Sequence, residues 1–196
     1  MRFRYVETTC PTIEAGGLRK DADGIRTDHE PVHPLYADAT ALYRISFPNH
    51  EQREEASQKE ILSNPAYHFD AVTDGGSFVG EILYWDIGGF LYVEHFCVRL
   101  EMRNRRYGQR ILAALQEKHA LILEIDPPID AIAQRRKGFY KRCGFTANPY
   151  PHVHPAHHRG NAGHELVVMS SPDQLTPEEY GLFNQFLQDV VMRNVY

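Results

Sequence analysis

The residues with the clearest chemical potential in this 196-residue chain lie in the segment 91–110, which contains five arginines and Gly108. The arginines are Arg99, Arg103, Arg105, Arg106 and Arg110. The first amide groups of a helix have no acceptor within the helix, so a helix start of this kind binds phosphate readily. Guanidinium groups add charge-assisted hydrogen bonds, and a glycine lets a ligand approach the backbone closely. The pattern therefore indicates either a site for a diphosphate-bearing ligand or a solvated basic helix start.

Charge is distributed unevenly along the chain. The whole sequence holds 21 Lys+Arg and 26 Asp+Glu, a net charge of −5, whereas residues 99–142 hold 11 basic and 5 acidic residues, a balance of +6. An acidic total argues against a protein that coats nucleic acid or an anionic membrane. The basic island is better explained as a local ligand site.

Hydrophobic periodicity predicts the elements that position this segment. Strands are predicted at 3–7, 67–73, 77–86, 90–99 and 121–125, with a further hairpin of 145–151 and 164–170. Helices are predicted at 35–47, 51–63, 108–119, 129–143 and 176–194, and the last carries an apolar stripe that must pack on the sheet or on a second subunit. The order of elements indicates one domain over residues 1–196 with mixed α/β layers, in which residues 8–34 form an irregular segment.

Two motifs resemble those of the GNAT superfamily of N-acetyltransferases. Residues 103–108, Arg-Asn-Arg-Arg-Tyr-Gly, resemble its acyl-CoA-binding signature [Q/R]-x-x-G-x-[G/A], although Arg106 occupies the position of the first glycine. Residues 138–145, Gly-Phe-Tyr-Lys-Arg-Cys-Gly-Phe, are similar to its late helix motif F/L-Y-x-x-x-G-F. Ala133 stands where the family often has an asparagine. The resemblance covers roughly residues 35–170.

The resemblance implies an α+β, GNAT-like fold, in which about five helices flank a central, mostly antiparallel twisted sheet of six to seven strands. It also implies transfer of an acetyl group from acetyl-CoA to a primary amine of a small molecule or protein, by direct attack in a ternary complex. The residues expected to contact acetyl-CoA are Phe96, Cys97, Val98, Arg103, Asn104, Arg105, Arg106, Tyr107, Gly108, Gln109 and Arg136. For Arg136 a substrate carboxylate is the alternative partner. Backbone amides near Cys97 and Val98 are expected to bind the oxyanion.

Two residues are expected to be catalytic. Strand alternation places Glu94 with Tyr92, Phe96 and Val98, and desolvation among these neighbours predicts a raised pKa suited to a general base. The alternative is a buried carboxylate paired to an arginine or a backbone amide. The resemblance implies that Tyr140 protonates the departing thiolate, whereas the alternative is a core tyrosine with a backbone partner.

Other reactive side chains are interpreted as structural. Cys97 and Cys143 lie in apolar patterns and are expected to be small buried hydrophobes, and His95 is expected to pack on the strand face opposite Glu94. The loop at 152–164 contains five histidines, but no cysteine or spaced carboxylate joins them. We interpret it as a loop bordering the acceptor side rather than a zinc site, and we expect no metal.

The remaining expectations concern location and partners. Three cysteines without a CxxC pair, and an N-terminus without an apolar stretch, indicate a cytoplasmic protein. The partners expected are acetyl-CoA and an amine acceptor, without nucleic acid or membrane, and a homodimer is left open. Two alternatives remain. Arg106 and Ala133 favour a degenerate CoA-binding regulatory module, and the basic turn is also compatible with a nucleotide.

Overall fold

The computed structural model describes residues 4–7 and 35–196, so the predicted irregular segment at 8–34 lies outside the described residues. The α-helices are α1 Tyr36–Ser46, α2 Glu55–Ile61, α3 Tyr107–Gln116, α4 Ala131–Arg142 and α5 Pro177–Phe186. The strands are β1 Arg4–Glu7, β2 Tyr67–Asp74, β3 Ser77–Asp86, β4 Phe90–Val98, β5 Ala120–Ile125, β6 Thr146–Ala147, β7 Val153–His154, β8 His164–Glu165 and β9 Val167–Ser171. Short 3₁₀-helices cover Asn49–Glu51 and Leu100–Met102, and a π-helical turn covers Leu187–Val191. Within the described residues, no helix is both long and apolar enough to cross a bilayer.

Seven of the strands form one sheet in the order β1-β2-β3-β4-β5-β9-β6. Neighbouring strands are antiparallel except β4 and β5, which are parallel. The predicted α+β class with a mostly antiparallel central sheet is therefore confirmed. The predicted hairpin of 145–151 with 164–170 is correct only where β6 pairs with β9, because β7 and β8 form a separate two-stranded sheet.

Helices cover both faces of the sheet and divide the core in two. Side chains from α1, α2 and α5 pack on one face around Trp85 and Tyr92, and α3 packs on the other around Ile111 and Leu112. The apolar stripe of the C-terminal helix belongs to the first layer, where the ring of Phe183 lies 5.1 Å from that of Tyr92. Phe183, Leu187 and Val191 of the stripe are therefore buried on the protein's own sheet, whereas Leu182 is exposed.

An irregularity in β4 changes which side chains share a face. Leu83 pairs with His95 and Tyr84 pairs with Val93, so Glu94 is the extra residue of a β-bulge. Beyond the bulge the alternation is inverted: Cys97 joins Tyr92 in one core layer, and Phe96 packs on the other. The predicted grouping of Glu94 with Phe96 and Val98, opposite His95, is wrong because it assumed an unbroken pleat.

Candidate active site

A cleft opens where β4 and β5 separate. Their parallel pairing ends at Val93 with Leu123, although both strands continue further. The cleft between their ends has a volume of about 920 Å³. The basic turn before α3 and one side of α4 line one end, and the histidine-containing loop lines the other.

The structure brings nearly all of the predicted site residues to this cleft. Those that line it are Glu94, Phe96, Cys97, Val98, Arg103, Asn104, Arg106, Tyr107, Gly108, Gln109, Arg136 and Tyr140. The exception is Arg105, which is exposed and has its guanidinium 3.9 Å from the sulfur of Met102. The expectation that Arg105 contacts the cosubstrate therefore gains no support, because its side chain lies away from the cleft lining.

The basic turn has a backbone suited to anions. Asn104 and Arg106 adopt left-handed conformations with φ of 60° and 62°. Arg106 directly precedes the right-handed residues of α3, and a left-handed residue next to right-handed ones aims successive amide groups at one point, which favours anions. The first helical hydrogen bond runs from Arg110 N to Arg106 O at 3.1 Å, so the amides of Gly108 and Gln109 precede the bonded part of α3.

Gly108 is required for packing as well as for ligand approach. A Cβ placed on this residue would lie 3.1 Å from Cζ of Phe139 and 3.7 Å from the ring of Phe96. The hydrogen atom of glycine therefore lets α3 approach α4 and β4. The sequence pattern indicated only an opening for a ligand at this position.

Replacing Arg106 with glycine is expected to raise the free energy of unfolding by up to about 1 kcal/mol. The left-handed conformation costs a residue with a Cβ about 1–2 kcal/mol, and the entropy of glycine in the unfolded chain offsets part of the gain. Thermal unfolding measures the change. Asn104→Gly is the matched control. Its free energy of unfolding should rise by less, because asparagine tolerates the left-handed conformation better than arginine does. A destabilised Arg106→Gly variant would contradict the presence of backbone strain.

Glu94 is held in a buried ion pair. Its Oε1 lies 3.0 Å from Nη2 of Arg53, and its Oε2 accepts a 2.7 Å hydrogen bond from Nε1 of Trp85. Burial raises the pKa of Glu94, but the charge of Arg53, with smaller contributions from the neighbouring His157 and His95, holds the pKa well below its usual range. The predicted raised pKa is wrong, because the carboxylate has the arginine partner described by the alternative interpretation. Arg53 lies in the polar stretch predicted as a helix at 51–63, where nothing in the sequence marks one charged residue as buried, so sequence reasoning missed it.

The histidine-containing loop is packed rather than solvated. His152, His154 and His157 are all buried. His152 bridges the hydroxyl of Tyr180 and the carboxylate of Glu124, a second buried acid that sequence reasoning missed within an apolar strand. The ring of His154 stacks on that of His157 with centroids 5.0 Å apart. The contacts of His152 fix the loop against β5 and α5.

A cluster at the cleft that includes His164 of the same loop could hold a metal ion. His50, Glu51 and His164 each offer one ligand atom, and these atoms lie within 4.8 Å of one another. Among the described residues this is the group whose composition suits a divalent cation, since two imidazoles and a carboxylate are common ligands. The expectation that the protein uses no metal stays a prediction.

Tyr140 and Arg136 face the cleft from α4. The ring of Tyr140 packs against Phe139 and Phe145, and burial raises its pKa to about 12, so the hydroxyl keeps its proton at neutral pH. Arg136 donates a 2.5 Å hydrogen bond to Asp126 Oδ2. An anionic ligand would therefore compete with Asp126 for this guanidinium.

The two described cysteines lack the properties of nucleophiles. Cys97 is buried and its Sγ donates to Glu81 Oε1 at 3.4 Å. Burial raises the pKa of both Cys97 and Cys143, so neither forms a thiolate readily. Cys97 is buried as expected, Cys143 is half-buried, and the interpretation of both as structural stays a prediction.

Comparison with known proteins agrees with this geometry. A family model described as an acetyltransferase (GNAT) domain matches residues 65–147. A solved structure from Bacteroides thetaiotaomicron, assigned to the GNAT family of acetyltransferases, is 32% identical with a TM-score of 0.75, over 80% of this chain and 91% of its own.

A second solved structure, from Desulfovibrio desulfuricans and assigned to the same family, shares the fold. It is 16% identical with a TM-score of 0.52, over 86% of this chain and 98% of its own. Comparison with curated proteins gave no match. From the family model, the identity to the Bacteroides protein and the shared fold, we conclude that this chain belongs to the GNAT family of acetyltransferases.

Proposed function

We propose that the protein transfers an acetyl group from acetyl-CoA to a primary amine of a small molecule or protein, by direct attack in a ternary complex. The observation that carries this proposal is the cleft at the separation of β4 and β5. One continuous space joins a basic turn, an unpaired strand edge and a cluster of buried acids and histidines. Phosphate binding, acyl positioning and amine chemistry each need one of these features.

In this proposal the basic end of the cleft holds the phosphates of acetyl-CoA. Arg103, Arg106 and Arg136 line it together with the amide-rich start of α3. The edge of β4 beyond Val93 is not covered by β5, so it can bind the amides of the pantetheine arm as an added strand would. A backbone amide near Cys97 would then donate to the oxyanion that forms at the acetyl carbon.

At the other end of the cleft an ammonium ion must lose a proton before its nitrogen can attack the thioester. An alkyl ammonium has a pKa near ~10, so most of it is protonated at neutral pH. Glu94 enters the proposal as an ionised carboxylate beside the reacting groups, not as an acid with a raised pKa. Tyr140 keeps its proton at neutral pH and can donate it to the departing thiolate.

Replacing Tyr140 with phenylalanine is expected to lower kcat by about 10²-fold, because the thiolate then leaves without a proton donor. The dissociation constant of CoA should stay within a few fold of its original value. Steady-state kinetics and titration calorimetry measure the two quantities. Tyr36→Phe is the control, since Tyr36 packs on Phe69 and does not line the cleft. Equal kcat in both variants would remove Tyr140 from the mechanism.

The function is tested by following thiol release from acetyl-CoA with polyamine, amino-sugar, amino-acid and peptide amines. We expect release that depends on at least one amine. CoA binding without turnover on any of them would instead favour a regulatory module, for which the strained Arg106 and the apolar Ala133 are the specific observations. Binding of nucleotides but not of CoA would overturn the proposal. A cytoplasmic location and the lack of nucleic-acid and membrane partners stay predictions.

A further inference from the structure

The acceptor end of the cleft contains a histidine with an unsatisfied ring nitrogen. His157 lines the cleft and is only 7% exposed. Its Nε2 makes no hydrogen bond with any residue that the structure describes. Leaving a buried polar atom without a partner costs about 1–3 kcal/mol, and such an atom in a native protein calls for a functional explanation.

A negative charge stands beside this nitrogen but does not bond to it. Glu94 Oε1 lies 3.8 Å from His157 Nε2, which is longer than a hydrogen bond. The two oxygens of Glu94 are already used by Arg53 and Trp85. Protonating Glu94 would break its buried ion pair, so this carboxylate is a poor proton acceptor. It is instead well placed to stabilise a positive charge on His157.

We propose that His157 accepts the proton from the ammonium group of the acceptor, and that Glu94 stabilises the imidazolium that forms. This inference rests on the acetyl transfer proposed above. The arrangement follows the general logic of a histidine base supported by a buried carboxylate. It assigns the proton-accepting role to the packed loop at 152–164 and gives Glu94 an electrostatic role.

Atoms and charges balance in this reaction. One N–H bond of the ammonium breaks and its proton moves to the ring nitrogen of His157 that does not face Glu94. The freed nitrogen lone pair then forms a bond to the acetyl carbon, and the carbon–sulfur bond breaks to release thiolate. The thiolate takes a proton from the hydroxyl of Tyr140, which recovers one from the nitrogen as it becomes an amide. The proton on His157 passes to solvent.

The surroundings of His157 keep its imidazole neutral at rest. Burial lowers the pKa of His157, the charge of Glu94 opposes that shift, and His154 and Arg53 add to it. The titratable groups that face it are Glu94 and His95 from β4, Arg53 from the segment before α2, and the stacked His154 from its own loop. A neutral imidazole can accept a proton at pH 7, whereas a charged one cannot.

The test compares His157→Gln with the original protein on two acceptors. With an alkylamine at pH 7, we expect kcat to fall by about 10²-fold while the dissociation constant of CoA is unchanged. With an aromatic amine, which is already neutral at this pH, kcat should fall by no more than a few fold. His119→Gln is the control, because His119 is exposed and does not line the cleft. Equal losses on both acceptors would indicate a structural role and overturn the proposal.

The pH profile of the unaltered protein gives a second readout that needs no variant. With the alkylamine, kcat/KM should rise to a plateau with an apparent pKa below 6.5. A profile that rises continuously toward the pKa of the free amine would show that no group of the protein takes the proton. If the unaltered protein acetylates no amine, the proposed function fails. If it acetylates amines and His157→Gln is equally active on both acceptors, only the role of His157 fails.

Discussion

Replacing Arg53 with methionine is expected to lower the free energy of unfolding by about 3–5 kcal/mol. The guanidinium is almost fully buried, and its Nη2 donates to Glu94 Oε1 at 3.0 Å and to the carbonyl of Val191 at 2.5 Å. Methionine fills similar space but provides no charge. The carboxylate of Glu94 would then be left in the interior without its cation. The free-energy cost of such an unpaired buried charge is far larger than the net stabilisation that the ion pair provides.

The double variant Arg53→Met with Glu94→Gln is the control for this expectation. Glutamine removes the buried charge and can still accept the hydrogen bond from Trp85 Nε1. We therefore expect the double variant to regain most of the lost stability in urea denaturation at pH 7. In the single variant, the pKa of Glu94 in the folded state would lie above its unfolded value, so stability should recover as pH falls. A single variant as stable as the original protein would show that the ion pair is not needed to balance Glu94.

Replacing Glu81 with glutamine is expected to stabilise the protein by roughly 3 kcal/mol at pH 7. Glu81 is fully buried on β3, and among the described residues its Oε2 has no hydrogen-bond partner. Burial raises its pKa to about 8, and the hydrogen bond with Cys97 lowers it only in part. The folded protein therefore retains a proton that the unfolded chain loses near its ordinary pKa of 4.5.

The sign of the pH dependence follows from this difference. Above pH 4.5 the unfolded chain binds fewer protons at this position than the folded protein, so stability falls as pH rises until the folded state also ionises near pH 8. Glutamine does not ionise, so the stability of the Glu81→Gln variant should not fall between pH 4.5 and pH 8 for this reason. Unfolding at pH 5, 7 and 9 measures it, with the exposed Glu117→Gln as control. Parallel pH curves for Glu81→Gln and the original protein would contradict the buried protonated acid.

Most of the helices and strands were predictable from the sequence because the signals involved are local. The apolar stripe at Phe183, Leu187 and Val191 predicted a packed C-terminal helix, and the structure buries all three. Thr176 and Glu179 form the capping box expected from their spacing. Periodicity could not reveal the bulge at Glu94, since the extra residue depends on the register between β3 and β4.

The candidate site was predicted more completely at its basic end than at its acceptor end. The basic turn is contiguous in sequence, so its arginines and Gly108 could be found by pattern and charge. The acceptor end is assembled from distant segments: Arg53 pairs with Glu94 across 41 positions, and His157 comes from a loop much later in the chain. Burial changes the chemistry of these groups, and composition does not indicate which histidines of a loop will be buried.

Acetyl transfer in the cleft between β4 and β5 is measured most directly by the acetylated amine itself. Purified protein with acetyl-CoA and an amine should yield free thiol and acetylated amine in equal amounts, with a mass increase of one acetyl group on the amine. Thiol release without an acetylated amine would reveal hydrolysis, and CoA binding without either product would reveal a binding module. Either result would contradict the proposed transfer.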